Sequence, residues 1–322
     1  MKKFVSMGLR LVNHFNRANV AVLKYHSIQD QPDLFDDTIS PSTIVPTSAF
    51  RIHMEILAKN YDPITMDDLL RYAEGEGELP KRPVAVTFDD GYRDNFAIAG
   101  PILDEMGIRA TIYVTTGSVE KKHPPWFVRV RHAVWTTRKE ECVGLTQEVL
   151  RFRDRDDRVA TVRLLSKRCA RLVGEELDQE VQLIEDVLEV DPFVPSERLM
   201  MNWEEIRQMS HTGHVIGSHT ISHPNVAHLE DGKMRWELEE SKRIIEEEID
   251  RPVSHFSYPN PALVPHLTKS TAAALRKGGY RTAVLSTHGK MHINGDLYSI
   301  KRTWAPPDRE QLIWNIEKTL FG

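Results

Sequence analysis

The chain has 322 residues, of which 40% are hydrophobic and 28% are charged, as in an ordinary globular protein. Its formal net charge of −5 argues against a general nucleic-acid-binding protein, which would carry a basic surface. The two cysteines, Cys142 and Cys169, are too few for a disulfide framework and have no partners at zinc-finger spacing. We therefore expect two reduced thiols in a cytosolic protein.

The N-terminal segment begins with two lysines, as a secretory signal does, but polar residues interrupt the apolar stretch that should follow. Its apolar residues recur at helical spacing and predict a short amphipathic helix; they are Phe4, Met7, Leu11 and Phe15. We expect this helix to pack on the protein itself, and peripheral contact with a membrane surface is the alternative. No later stretch reaches membrane-spanning length, so the expected location is the cytoplasm.

Seven short apolar runs rich in β-branched residues predict strands, at 20–25, 84–88, 110–114, 214–218, 254–258, 281–286 and 298–303. Segments with helical periodicity are predicted at 48–58, 65–74, 93–106, 202–212, 231–249 and 267–278. The alternation of strands and helices predicts a mainly parallel sheet with helical crossovers. Seven strands fit a barrel-like sheet, and a doubly wound open sheet is the alternative. In both folds the functional groups gather where strands end.

Residues from about 119 to 200 interrupt this alternation and contain no convincing strand. The stretch 147–190 is dense in charge and in helix-forming residues, which predicts two or three amphipathic helices. No glycine- and serine-rich linker marks either edge of the region. We therefore interpret the chain as one domain, residues 1–322, with an inserted helical segment at about 119–200.

The predicted strand 84–88 ends at two adjacent acids, Asp89 and Asp90, followed by Gly91. A strand that ends at a glycine can turn, so both carboxylates can face one pocket. Two buried like charges repel each other, and a bound cation removes that repulsion, with one acid as its ligand and the other free as a base. In the alternative interpretation, Asp90 caps the helix that begins near Arg93. This motif alone favours neither interpretation.

His219 and His223 follow another predicted strand, and their spacing puts both imidazoles on one face of a helical turn. Most such pairs are surface residues or caps. Together with the strand-end carboxylates, they predict an Asp/His/His site suited to zinc, cobalt, nickel or iron. Three protein ligands leave a coordination position open for water, which is typical of a catalytic metal site.

A third polar strand end reads HFSYPNP, in which Pro259 and Pro261 stiffen the turn. We expect the backbone N–H of Tyr258 to point freely into the pocket, where such a donor can stabilise a developing oxyanion. The alternative is a proline-rich loop without a chemical role.

Three motifs in this order resemble those of the polysaccharide deacetylases, carbohydrate esterase family 4. They are TFDDGY at 87–92, SHTISH at 218–223 and SYP at 257–259. The opening VLKYHSI, 22–28, resembles the branch that includes the bacterial poly-N-acetylglucosamine deacetylases. The resemblance covers roughly 20–118 and 200–305 and leaves the insertion out. It implies a distorted (β/α)7 barrel and the metal-dependent removal of N-acetyl groups from an amino-sugar glycan, which would be the partner of the protein.

Carried over position by position, the resemblance assigns roles to five residues. It implies that Asp90, His219 and His223 bind one divalent metal ion, with zinc expected first and cobalt, nickel or iron as alternatives. It makes Asp89 the general base. It makes Tyr258 the residue whose backbone N–H helps to form the oxyanion hole.

The sequence departs from the common family pattern in two places. The arginine that often accompanies the third motif is absent, and Arg302 on the last strand could orient Asp89 instead, with a purely structural salt bridge as the alternative. The late histidine motif that usually supplies the acid is also absent, although His288 and His292 lie nearby. We expect His26 to be the acid, because the histidine of the early YH motif is thought to take that role in the branch resembled here. A buried structural histidine is the alternative.

Two rival functions stay open at this point. One is a metal-dependent amidohydrolase that acts on a small non-sugar amide, and the other is a catalytically inactive glycan-binding homologue. Tyr92, Trp126 and Trp304 suit stacking on sugar faces, and such aromatics also serve as core residues. The sequence leaves the particular glycan and the oligomeric state open.

Overall fold

A computed structural model describes residues 19–30, 37–120, 124–195, 197–259 and 263–322. The predicted N-terminal amphipathic helix lies outside these residues. Of the helices that the structure describes, none is long and apolar enough to cross a membrane. The cytoplasmic location and the membrane contact stay predictions.

Within the described residues, seven parallel strands pair in chain order and the last pairs with the first, so the sheet closes into a barrel. They are β1 (Asn19–Tyr25), β2 (Pro83–Phe88), β3 (Thr111–Val114), β4 (Val215–Ser218), β5 (His255–Ser257), β6 (Thr282–His288) and β7 (Ile300–Trp304). Each has a predicted counterpart whose ends differ by no more than two residues. The predicted (β/α)7 barrel is confirmed, and the doubly wound open sheet is wrong.

Helices surround the barrel. They are Thr47–Asn60, Met66–Ala73, Gly100–Glu105, Trp203–His211, Asp231–Ile249, Lys269–Lys277 and Arg309–Phe321. The helix predicted at 93–106 opens with a π-helical turn, Asn95–Ala99. Pro101 follows that turn and has no N–H to give to the preceding turn of an α-helix, which accounts for the wider local hydrogen bonding.

Short strands extend the sheet at its rims. Asp62–Ile64 pairs with the start of β2, on the edge that β3 occupies further along. Met291–His292 pairs antiparallel with the start of β1. Ser27–Ile28 and Ile44–Val45 form a separate parallel pair beyond the end of β1. These additions leave the carboxyl ends of the barrel strands open.

The alternation of side chains along β1 shows which of them enter the barrel. Val20 and Val22 belong to an apolar cluster that fills the barrel interior and joins residues of β1, β2, β3, β6 and β7 to residues of the two rim strands and of the helix Met66–Ala73. Leu23 and Tyr25 belong instead to the large cluster between the sheet and the helices. Because side chains alternate along a strand, Lys24 shares the inward face with Val22 and lies one step nearer the open end.

The region from 119 to 200 contributes three helices among its described residues, Trp126–Thr136, Arg155–Cys169 and Gly174–Leu188. They bury an apolar cluster of their own, in which Cys142 and Cys169 lie as free cysteines. A hairpin of two-residue strands, Glu141–Cys142 and Leu150–Arg151, was not predicted, because such short strands carry no alternating pattern. The interpretation as an insertion within one domain stays a prediction.

Candidate metal centre and active-site pocket

A cavity of about 580 Å³ opens at the carboxyl ends of the barrel strands. Residues at or just after the ends of β1, β2, β4, β5, β6 and β7 line it, together with residues of the inserted helices. This is the face at which (β/α) barrels carry their active sites.

The chain turns sharply after β2 and brings two carboxylates into this cavity. Asp90 and Gly91 both adopt left-handed backbone conformations, with φ of 72° and 82°. Aspartate tolerates this region better than most residues, and glycine enters it freely. As a result Asp89 and Asp90 are both buried and both line the cavity. Asp90 faces two imidazoles rather than the helix that it was alternatively expected to cap.

Asp90, His219 and His223 come together although they lie far apart in sequence. Oδ1 of Asp90 lies 3.4 Å from Nε2 of His219 and 3.3 Å from Nε2 of His223, and the three ligand atoms lie within 4.8 Å of one another. In a tetrahedral zinc site with bonds of about 2.0–2.1 Å, ligand atoms lie roughly 3.3–3.4 Å apart. The two measured separations therefore fit a divalent ion held by this triad.

The hydrogen bonds of the triad favour metal binding. Nδ1 of His219 donates to the carbonyl oxygen of Ser257 at 2.8 Å, which leaves the lone pair of Nε2 directed at Asp90. Burial opposes a charge on both rings, but the carboxylate of Asp90 raises the pKa of His219 above its ordinary value, whereas the pKa of His223 stays lowered. A metal ion bound by Nε2 of His219 would compete with a proton for the same lone pair.

The two histidines do not lie on a helical turn, and that prediction is wrong. Residues 219–223 form an irregular loop in which Thr220 and His223 have left-handed φ values of 69° and 59°. Pro224 follows at once, and the residue before a proline is disfavoured in a helix. The loop nevertheless brings both imidazoles to the same carboxylate.

Glu237 holds this loop in place and was missed in the sequence. Its buried carboxylate accepts hydrogen bonds from the backbone N–H groups of Ile221, at 2.7 Å, and Ser222, at 3.1 Å. Glu237 lies on the buried face of Asp231–Ile249, beside Leu238. A charged residue within the apolar stripe of that predicted helix was the signal that marked it.

Arg302 reaches across the barrel from β7 to Asp89. Its guanidinium donates from Nη1 to Oδ1 at 2.8 Å and from Nη2 to Oδ2 at 2.5 Å, and Ser257 Oγ adds a bond to Oδ1 at 3.0 Å. Both partners are only 1% exposed. Burial would raise the pKa of Asp89, but the charge and hydrogen bonds of Arg302 outweigh it and hold that pKa well below its usual range. Asp89 is therefore ionised and fixed in one orientation.

Arg302→Met is expected to lower the free energy of unfolding at pH 7 by about 3–5 kcal/mol, because it leaves the buried Asp89 carboxylate without its partner. The native pKa of Asp89, now depressed, would rise, so the difference from wild type should be full at pH 7 and shrink as the pH falls toward 4. Urea unfolding at the two pH values measures this.

Arg281→Met is the matched control, since Arg281 pairs with Glu74 in an ion pair that is about half exposed. It should cost less than about 1 kcal/mol. Two results would contradict a buried ion pair between Arg302 and an ionised Asp89. One is an equal loss of unfolding free energy in the two variants, and the other is a loss in Arg302→Met that is the same at both pH values.

His26 lies beside Asp89, with its Nε2 3.8 Å from Oδ2, and lines the cavity, whereas His288 and His292 are exposed and are not among its lining residues. Burial lowers the pKa of His26 to about 4, although Asp90 and Asp89 act in the opposite direction. Burial therefore opposes a proton on His26 before the reaction, and its role as the acid stays a prediction. An acid role requires it to gain a proton during the reaction.

The backbone N–H of Tyr258 is not free, and that expectation is also wrong. It donates to the carbonyl oxygen of Val284 at 3.1 Å and so continues the pairing of β5 with β6 by one residue. The Tyr258 hydroxyl donates to the carbonyl oxygen of Tyr298 at 3.0 Å. Tyr258 lines the cavity wall, but its N–H is committed to the sheet.

Lys24 also lines the cavity, and sequence reasoning passed over it as part of an apolar strand. Its Nζ donates to the carbonyl oxygen of Ser286 at 3.4 Å, and within the part of the chain that the structure describes it forms no ion pair within 4.0 Å. Burial, assisted by the charge of Arg302, lowers the pKa of Lys24 to about 8. A lone lysine between Leu23 and Tyr25 was the available signal.

The aromatic residues proposed for sugar stacking divide into two groups. Tyr92 and Trp126 are buried in the wall of the cavity, and the indole N–H of Trp126 donates to the carbonyl oxygen of Ser222. Trp304, at the end of β7, lines the cavity and is 53% exposed. Of these three, Trp304 offers an accessible ring face.

The fold and the site define a (β/α) barrel with an aspartate and two histidines at its open end, and sequence comparison identifies the family. Residues 76–283 match the profile described as Polysaccharide deacetylase. This match covers more than half of the chain, so the protein belongs to the polysaccharide deacetylase family, as its motifs predicted.

Individual relatives agree with this membership. YxkH of Bacillus subtilis (strain 168), which carries the name of a polysaccharide deacetylase, is 22% identical over 291 residues, or 90% of this chain and 72% of its own. The deacetylase PplD of Streptococcus pyogenes, solved in complex with acetate, is similar with a TM-score of 0.60 at 16% identity, over 94% of this chain and 99% of that one. IcaB from Ammonifex degensii has a TM-score of 0.60 at 17% identity, over 95% and 100%. At these identities the two structures show a shared fold.

Proposed function

We propose that this protein is a metal-dependent deacetylase that hydrolyses N-acetyl groups on an amino-sugar glycan. The observation that carries the proposal is that the side chains of Asp90, His219 and His223 lie at separations that fit three ligands of one ion. A second aspartate, Asp89, lies beside them and is ionised and held by Arg302. An oriented base next to a metal triad is the equipment of a hydrolase that activates water. Membership of the polysaccharide deacetylase family supplies the glycan.

Asp90, His219 and His223 would hold the ion, zinc by preference, which would polarise the acetyl carbonyl and lower the pKa of water. Asp89 accepts a proton from the attacking water while the water oxygen bonds to the carbonyl carbon and the carbonyl π pair moves onto oxygen. Arg302 and Ser257 fix the Asp89 carboxylate for this step.

Departure of the sugar requires a proton, because an amide anion is far too basic to leave. His26 is neutral before the reaction and lies 3.8 Å from Asp89, so it can receive the proton that Asp89 has taken. His26 then protonates the nitrogen as the C–N bond breaks, and acetate and the amino sugar are released.

The function is tested by measuring acetate release from N-acetylated chito-oligomers before and after removal of metal with a chelator. We expect release to stop on chelation and to return with zinc, and to be much slower with small amides such as acetamide. Release that persists in metal-free protein would contradict metal dependence. Preference for small amides over the oligomers would contradict the glycan.

Trp304→Ala sharpens the substrate test. We expect it to raise KM for the oligomers about 5- to 10-fold, because a sugar ring loses a stacking face worth roughly 1 kcal/mol, and to leave kcat unchanged. Trp236→Ala is the matched control, since Trp236 is 48% exposed on the helix Asp231–Ile249 and is not among the residues that line the cavity. Equal KM values for both variants would remove Trp304 from the glycan site.

A further inference from the structure

Amide hydrolysis places negative charge on the acetyl oxygen, and enzymes commonly place a hydrogen-bond donor there in addition to a metal ion. The donor expected at this position, the Tyr258 N–H, is bonded to Val284 at 3.1 Å. A hydrogen bond to the acetyl oxygen therefore has to come from another polar group in the cavity.

Three cationic side chains line the cavity among the residues that the structure describes: Lys24, Arg131 and Arg163. Arg131 is buried with its guanidinium 4.0 Å above the ring of Trp135, and Arg163 is exposed on the inserted helix Arg155–Cys169. These two belong to the outer wall. Lys24 projects into the barrel from β1, where the charges of both Asp89 and Asp90 act on it.

The surroundings of Lys24 leave its ammonium poorly compensated. Asp89 is engaged by Arg302 through both of its oxygens, and Asp90 faces the two histidines. The one hydrogen bond described for the Lys24 ammonium is long, at 3.4 Å to Ser286, and an ammonium has three donors. A largely buried cation with unused donors destabilises a fold, which makes a structural role a poor explanation.

We propose that the ammonium of Lys24 is a catalytic group, which holds the acetyl oxygen of the substrate as that oxygen gains negative charge. This inference rests on the proposed deacetylase function and names a further residue for it. Lys24 keeps its proton throughout, so the bonds made and broken in the hydrolysis are unchanged. Its contribution is a charged hydrogen bond that strengthens between ground state and transition state.

Lys24→Met tests the inference, with Lys301→Met as its control, because Lys301 lies on the exposed face of the neighbouring strand β7. We expect Lys24→Met to lower kcat about 100-fold with KM for chito-oligomers little changed, the range seen when one oxyanion donor is removed. Its Tm should equal or exceed that of wild type, since a buried charge has been removed. Lys301→Met should match wild type in all three quantities. A lowered Tm with kcat unchanged would assign Lys24 a structural role and overturn the proposal.

A binding measurement separates this inference from the proposed function. Methylphosphonate is a tetrahedral anion with the methyl group of acetate, and its affinity for the zinc-loaded protein can be measured by calorimetry without turnover. We expect Lys24→Met to bind it about 10-fold or more weakly, as for the loss of a charged hydrogen bond, and Lys301→Met to bind it as wild type does. Equal affinity in Lys24→Met, or no measurable binding to wild type, overturns the role of Lys24. If wild type releases acetate from none of the N-acetyl sugars tested, the proposed function is overturned instead.

Discussion

Asp89→Asn is expected to lower kcat for acetate release by about 1,000-fold while the protein keeps its metal. General-base catalysis contributes roughly 100- to 10,000-fold, and asparagine cannot accept a proton from water at neutral pH. The substitution preserves the size of the side chain and leaves Asp90, His219 and His223 untouched. Kinetics and metal analysis on the same preparation measure both parts of the expectation.

The variant also carries a stability cost that must be separated from the chemical one. Asparagine presents an N–H to Arg302 where the carboxylate offered a second acceptor, so the buried guanidinium loses part of its compensation. Thermal unfolding of the metal-loaded variant shows whether the protein is folded at the assay temperature, and kcat is compared only there.

Asp94→Asn is the matched control for Asp89→Asn. Asp94 lies five residues further along and accepts a hydrogen bond from Ser27 Oγ at 2.5 Å, but it borders a different cavity. The same chemical change at this position should leave kcat within about 3-fold of wild type, as expected for a residue that does not take part in proton transfer. A metal-replete Asp89→Asn protein with near-native kcat would refute the assignment of the base.

His219→Ala is expected to remove metal and activity together. It deletes one of three protein ligands and leaves Asp90 with one imidazole, and ligand number is what holds a catalytic zinc ion. We expect zinc affinity to fall by more than about 100-fold, since loss of even an outer partner of a ligand costs 10- to 100-fold. Equilibrium titration with a competing chelator measures this affinity.

His214→Ala is the control at the opposite end of the same strand. His214 precedes β4, is buried, and accepts a hydrogen bond from the backbone N–H of Ala110 at 3.1 Å through Nδ1. Its loss should lower the free energy of unfolding by about 1–3 kcal/mol, because that N–H loses its acceptor. Zinc affinity should stay at the wild-type value. Unchanged affinity in His219→Ala would remove the histidine from the metal centre.

The barrel could be predicted because its signals are local. Each strand is a short apolar run that ends at a polar or proline-containing turn, and the helix predicted at 231–249 has those bounds in the structure. The expectation that functional groups gather at strand ends needs only the parallel arrangement, and it placed Asp89, Asp90, His219 and His223 at one cavity. Their catalytic roles stay proposals.

The errors concern contacts that depend on a neighbouring strand or helix. Whether the Tyr258 N–H is free is decided by Val284 on β6, and the loop of His219 and His223 is shaped by Glu237 on a later helix. Neither partner can be inferred from the motif itself. The lowered pKa of His26 comes from burial, which spacing along the chain does not encode.

The ion pair between Asp89 and Arg302 joins the second strand of the barrel to the last one, more than 200 residues later. A chain still emerging from the ribosome has the carboxylate of the second strand long before the guanidinium that orients it. Synthesis must reach the seventh strand before that carboxylate is locked in place. The Asp89 carboxylate therefore takes its fixed orientation only when the last strand pairs with the first and the barrel closes.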